Sequence, residues 1–260
     1  MRVIKISGRD LDNPGFVAAL GHALMELQEP AVLVHGGGKA IDNFQRRLGI
    51  ETVKANGLRV TDNDSLGPTL MVLSGLVNKT LTAGLIQAGI DAVGLSGVDS
   101  GLLRCSKHTP DGVDLGFVGT IDKVREDILL NLIQNGQFPV VSPMSLSHDG
   151  QIMNVNADEA ASAIASALNA DVLDFVSNVP GVLANNQLLP ALTREEAQSL
   201  IEDGTIHSGM IPKIQAAFAA LEIGVQRVRI VDLNGFARKA GTVLSQRPFQ
   251  IAACTSEVLK

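Results

Sequence analysis

The residues of this chain that could do chemistry are charged groups and glycines at the ends of apolar runs. Lys5 lies inside Val3-Ile4-Lys5-Ile6, and an unpaired ammonium in an apolar strand is so costly that this one is expected to point at an anion. Gly36-Gly37-Gly38-Lys39 follows the apolar run at residues 31–35, and glycines between a strand and a helix let backbone N–H groups approach a phosphate. The turn fits neither of two stricter templates. A P-loop needs glycine and Ser or Thr where Leu33 and Ala40 stand, and a dinucleotide fingerprint needs glycine where Ile41 stands. Arg59, in Asn56-Gly57-Leu58-Arg59-Val60-Thr61-Asp62, carries a fork of donors suited to a carboxylate, although Asp62 or Asp64 could equally pair with it. Asn154-Val155-Asn156-Ala157-Asp158 precedes an Ala-rich run and holds more polar groups than one helix cap requires. Lys213 stands in the first turns of a helix whose apolar positions are Ile211, Ile214, Phe218 and Leu221, so a solvated role and a functional one are both open.

Other chemistries lack their residues. The five histidines, at positions 22, 35, 108, 148 and 207, have no HExxH spacing. Gly94-Leu95-Ser96-Gly97-Val98 ends in valine where a nucleophile elbow needs glycine, so His35 with its three glycines has no serine to serve. Cys105 and Cys254 form no CxxC pair and read as reduced thiols.

The elements that must position these groups alternate. Residues 3–6 read as a buried strand; Asn13 caps a helix with Pro14 at its first position, running to about residue 28. A strand at 31–35, a helix at 39–48, a long helix at 64–88 and a strand at 92–95 follow. Residues 102–121 read as a hairpin, 125–135 as a helix and 138–141 as a strand, with a turn at His148-Asp149-Gly150. A helix at 157–168, a strand at 172–176, a loop at Pro180-Gly181, helices at 193–202 and 208–221, and a strand at 227–231 complete the pattern. It predicts an α/β fold: an open, mainly parallel twisted sheet with helices on both faces, an α/β/α sandwich in two lobes. The lobe boundary falls near Asn169, dividing 1–168 from 169–260. No low-complexity linker marks it, so the lobes are expected to share one sheet or a tight hinge.

Composition narrows the partners. With 45% hydrophobic and 18% charged residues among 260, the chain can bury a large core. A net charge of −6, no Trp, no Tyr and only 8 Phe argue against nucleic acid, which needs a basic face and stacking platforms. The N-terminal apolar run is too short for a signal peptide, and the other apolar runs are of strand length, below the roughly 20 residues of a membrane span. A cytoplasmic protein without membrane contact is expected.

Eight segments in register resemble the amino-acid kinase family, and most closely its branch that phosphorylates N-acetyl-L-glutamate. They are residues 4–8, 34–38, 56–62, 77–79, 92–97, 153–161, 177–183 and 209–213. The resemblance implies phosphoryl transfer from ATP with Mg²⁺ to the γ-carboxylate of that acceptor, in arginine biosynthesis. Lys5 and Lys213 would flank the transferring group and Asp158 would hold both; Gly8 and Gly36 would line the phosphate path. Gly37, Gly38, Arg59 and Asn154 would bind the acceptor, with Arg59 and Asn154 on its α-carboxylate. Ser177-Asn178-Val179-Pro180-Gly181-Val182-Leu183 and Thr205-Ile206-His207 would hold the nucleotide. Mg²⁺ would arrive on the nucleotide phosphates, with no dedicated protein metal site. An ionised carboxylate acceptor needs no general base, which agrees with the absence of a nucleophile motif.

Ser7 and Asn178 depart from the family pattern, which has glycine at the first position and an acidic residue at the second. They keep open a non-catalytic amino-acid sensor, while Asn178 also resembles kinases of carrier-linked aminoadipate; N-succinylglutamate is a further alternative acceptor. The first strand begins within three residues of Met1, leaving no room for the extra helix of arginine-inhibited hexamers. An arginine-insensitive homodimer joined through the first lobe is therefore expected.

Overall fold

A computed structural model describes residues 1–8, 10–13, 15–55, 57–207 and 210–245. Eight strands form one sheet in the order Ala191–Thr193, Thr242–Ser245, Val228–Val231, Val172–Val176, Arg2–Ile6, Ala31–His35, Phe138–Ser142 and Ala92–Ser96. Neighbours run parallel except Val228–Val231 with Thr242–Ser245. All five residues of Ala31–His35 are buried, as a parallel strand covered on both faces requires. Side-chain alternation sends Val3 into one core with Ile164 and Phe218, and Ile4 and Ile6 into the other with Leu20, Leu81 and Leu85. Helices therefore cover both faces, and the sheet passes without a break across the boundary expected near Asn169.

Several local expectations change. The first helix runs Phe16–Met25, and its N-cap is Gly15 at φ 90°, not Asn13, whose carbonyl instead accepts from the Phe16 N–H at 3.0 Å; Pro14 lies outside the described residues. The hairpin is larger than the sequence suggests. Its strands, Leu103–Lys107 and Val118–Val124, close into a small four-stranded barrel with Met144–Ser147 and Ile152–Val155, which flank the turn at 148–150. Ala191–Thr193 and Thr242–Ser245 are further strands, too short to stand out by pattern. The helix expected at 208–221 is Met210–Glu222, with Ser208 and Gly209 outside the described residues. Cys254 and the rest of the tail after Ser245 also lie outside them.

The long helix, Asn63–Gln87, is by length and composition apolar enough to cross a membrane, contrary to the expectation that no segment reaches that span. Its inner residues Val72, Leu73, Val77, Leu81 and Leu85 are buried in the core. Asn78, fully buried midway, donates to the Leu95 and Val140 carbonyls at 3.1 and 2.9 Å. The segment Met71–Val77 is π-helical, a local widening found often at functional sites.

Away from the strands' carboxyl ends, Asp174 is wholly buried between Arg2 and Arg229, each at 2.5 Å. Removing one member of a buried charge cluster leaves the others uncompensated. Asp174→Ala is expected to lower unfolding stability by about 3–5 kcal/mol in a denaturant titration, whereas a loss under about 1 kcal/mol would mean that the arginines reach water in the native state.

Candidate active site

Lys5 stands in the middle of the sheet, with Val34 and Phe175 as its lateral partners. Its ammonium lies 2.5 Å from the Asp158 carboxylate, and both side chains are mostly shielded. Asp158 occupies that place because helix Ala157–Ala167 starts just before it: Asn156 caps the helix by accepting from the Asp158 N–H at 2.8 Å. The next residue, Glu159, accepts from the Ile121 N–H at 2.7 Å, tying the same turn to the small barrel, and burial pushes its carboxyl above the usual range. One helical turn thus joins the sheet, the barrel and the lysine.

Two turns meet above Lys5. A Cβ on Gly8 would stand 2.6 Å from the Gly37 Cα, so the backbones following the first two strands touch and only glycine fits there. Helix Gly38–Arg47 begins at this contact, and its N-cap, Gly37, offers no capping side chain. First-turn N–H groups without a side-chain cap make an anion site. Lys5, Ser7, Gly8, Gly36, Gly37, Gly38, Lys39, Asp42 and Lys54 line a cavity of about 570 Å³ at this place.

On its other side the glycine turn walls a second cavity, of about 180 Å³, with Arg59, Asn154, Asn156, Leu58 and Leu73. Such a volume lies below the roughly 300–1,000 Å³ typical of drug-sized ligands and suits a small metabolite. Asn154 is steadied by donating to the Thr61 hydroxyl at 3.0 Å. Arg59 does not pair with Asp62 or Asp64. Its guanidinium forms an ion pair with Asp42 and donates to the Gly38 carbonyl at 3.0 Å and to Gln45 at 2.9 Å. Asp62 instead caps the long helix by accepting from the Ser65 N–H at 2.9 Å, a bond that lowers its carboxyl.

Lys213 is half-buried on helix Met210–Glu222, which packs against helix Ala157–Ala167 and so lies beside the element that carries Asp158. The loop after Val172–Val176 begins at Ser177, whose N–H donates to the Val231 carbonyl at 2.9 Å; Asn178 is exposed. Gly181, at φ 148°, lies where a Cβ would stand 2.6 Å from Leu188 and from Thr242, so only glycine fits. Val182 and Ile206 bury their side chains in the core, whereas Val179, Pro180, Leu183, Thr205 and His207 are half-buried or exposed.

Sequence reasoning passed over Asn156, Asp42, Lys54 and Leu73 as pocket residues, and Gln45 as a buried partner of Arg59. Asn156 was legible as one polar group among three; the others stand on helix faces and a hairpin with no motif. His35, considered above as part of an oxyanion loop, is wholly buried, with Nδ1 3.1 Å from the Gly36 carbonyl and Nε2 3.1 Å from the Asn78 amide nitrogen. It braces the glycine turn.

A central lysine–carboxylate pair below an anion-binding glycine turn, on an open parallel sheet, defines an α/β phosphoryl-transfer fold. The chain belongs to the amino acid kinase family, whose model matches residues 1–232. It is 48% identical over 234 residues to the acetylglutamate kinase of Chloroflexus aurantiacus, spanning 90% of this chain and 92% of that one. It is 46% identical to the acetylglutamate kinase of a Roseiflexus species, covering 94% of each. A crystal structure of a Streptococcus mutans protein superposes with a TM-score of 0.78 at 30% identity, over 95% of this chain and 98% of that one.

Burial, joined by the charge of Lys79, pushes the His35 imidazole down to about 4, against the pull of the Gly36 carbonyl. Above about pH 6.5 the ring is neutral in both folded and unfolded chains. Between there and pH 4 only the unfolded chain takes up the proton, so stability is lost as pH falls through this window, by about 3 kcal/mol. His35→Gln is expected to remove about that much from the stability difference between pH 7 and pH 4, read by denaturant titration at each pH.

Proposed function

We propose that this chain transfers the γ-phosphoryl group of ATP to the side-chain carboxylate of N-acetyl-L-glutamate, yielding an acyl phosphate in arginine biosynthesis. The observation that carries the reading is the shared wall: Gly36 to Gly38 line both the cavity with Lys5 and the cavity with Arg59 and Asn154. A phosphoryl group in one and an acceptor in the other meet at the same backbone N–H groups. The relatives named acetylglutamate kinase supply the acceptor's identity.

The acceptor carboxylate attacks as the anion it already is, so no residue removes a proton. Lys5 and Lys213 neutralise charge on the phosphoryl oxygens as it spreads in the transition state, and Asp158 keeps Lys5 aimed. The uncapped N-terminus of helix Gly38–Arg47 contributes backbone N–H groups to the same oxygens. Among the described residues no cluster of three His, Cys, Asp or Glu could hold a metal ion. Mg²⁺ would be carried by the nucleotide phosphates and, when bound, would supply charge neutralisation. The loops at 177–183 and 205–207, at the carboxyl-end side of the strand next to Lys5, hold the nucleotide.

Association through the first lobe is supported by Met71 and Leu76, 62% and 60% exposed on the outer side of the long helix, and by the open edge of Ala92–Ser96. Leu76→Arg is expected to convert a dimer to a monomer in size-exclusion light scattering, and a wild-type monomer would overturn this arrangement. For the chemistry, hydroxylamine trapping of the acyl phosphate is expected to give signal with MgATP and N-acetyl-L-glutamate. Lys5→Ala or Lys213→Ala should each cut kcat by about 10²–10³-fold. Wild-type protein that binds ATP but yields no hydroxamate with acetylated, succinylated or aminoadipate acceptors would overturn the proposal in favour of a sensor.

A further inference from the structure

Arg59 stands on a two-residue strand, Leu58–Arg59, which among the described residues pairs with Lys54–Ala55 alone. So small a hairpin has little stability of its own, and the guanidinium is located by what it touches. The contacts come largely from one helix. Gly38, Asp42 and Gln45 follow at four- and three-residue steps on helix Gly38–Arg47, hence on one face. Together they take the terminal nitrogens of the fork: one bonds Gly38 and Asp42, the other Gln45, with a longer contact to Thr52 at 3.4 Å. Thr52 in turn donates toward Asp42 and Gln45 at 3.3 and 3.1 Å. Gln45 is 1% exposed and anchors the network in the protein, while Asp42 is partly open to the phosphate cavity. The guanidinium does not present an empty fork to the acceptor pocket; it presents a plane whose orientation the helix sets.

The same helix carries, at its first turn, the N–H groups of the phosphate cavity. One rigid element therefore sets the distance between the transferring phosphoryl group and the cation that anchors the other end of the acceptor.

We infer that Asp42, supported by Gln45, is a positioning residue that makes helix Gly38–Arg47 a ruler for acceptor length, through Arg59. This rests on the proposed function, since it assumes that Arg59 meets the acceptor. Asp42 also lines the phosphate cavity, where its negative charge opposes anionic ligands. Its removal should therefore not weaken ATP binding, and any loss belongs to the acceptor.

The test compares wild type, Asp42→Ala and Asp42→Asn in the hydroxamate assay with MgATP, using N-acetyl-L-glutamate and its homologues one methylene shorter and longer, N-acetyl-L-aspartate and N-acetyl-L-aminoadipate. Asp42→Ala is expected to raise the KM for N-acetyl-L-glutamate at least tenfold, with the KM for ATP unchanged or lower and kcat within threefold. The ratio of kcat/KM between the glutamate acceptor and either homologue should fall at least fivefold. Asp42→Asn, which keeps an acceptor for the Arg59 N–H, should restore most of the KM and the ratio. An acceptor KM within threefold of wild type in Asp42→Ala, an unchanged ratio, or parallel losses in kcat and both KM values would overturn the inference. Wild-type protein silent with every acceptor would instead overturn the proposed function itself.

Discussion

A lysine in the central strand of a buried parallel sheet is the constraint around which this molecule is arranged. An ammonium set among apolar side chains is costly without a counter-charge, and that of Lys5 finds one in Asp158, from a helix more than 150 residues further along the chain. The pair is possible because Ala157–Ala167 packs against the strand Arg2–Ile6 and because Asn156, its cap, starts that helix just before Asp158. Small side chains make the approach close: Ala160, Ala161 and Ala165 are wholly buried on the inward face. A bulky residue at these places would push the carboxylate away from the ammonium.

Charges elsewhere obey the same rule. Asp174 is buried between two arginines, and Arg59 rests on Asp42 and polar groups of one helix. Burial pushes the Cys105 thiol up to about 11, keeping it a protonated, inert core group. Cavities border all of these charges; what the Lys5 pair has beside its own is a wall of glycine backbone and an uncapped helix start.

The sequence read well where one local rule was enough. The strands at 31–35 and 172–176 are set by short-range periodicity, and the helix expected at 193–202 forms as Arg194–Glu202, with Thr193 as its cap instead of its first residue. It read less well where distant segments compete. Gly15 replaced Asn13 as a cap because Asn13 closes the 3₁₀ turn at Asp10–Asp12, its N–H donating to the Asp10 carbonyl at 3.1 Å. The small barrel closed because Met144–Ser147 and Ile152–Val155, unremarkable singly, pair with both strands of the hairpin. The partner of Arg59 was misjudged because the nearer carboxylates in sequence were considered, while Asp42 becomes near only when its helix folds over the hairpin.

By itself, then, the sequence determined the alternating α/β order, the glycine turn after the second strand, and the identity of the charged residues beside it, since these depend on local conformation and on the cost of burying charge. Tertiary structure alone decided which of those charges meet. It set Asp158 against Lys5, Asp42 against Arg59 and Gly8 against Gly37, and it opened two cavities on either side of one turn. The reason is physical: contact between residues far apart in the chain depends on how helices seat on the sheet, and that seating is summed from many weak apolar contacts that no short motif records.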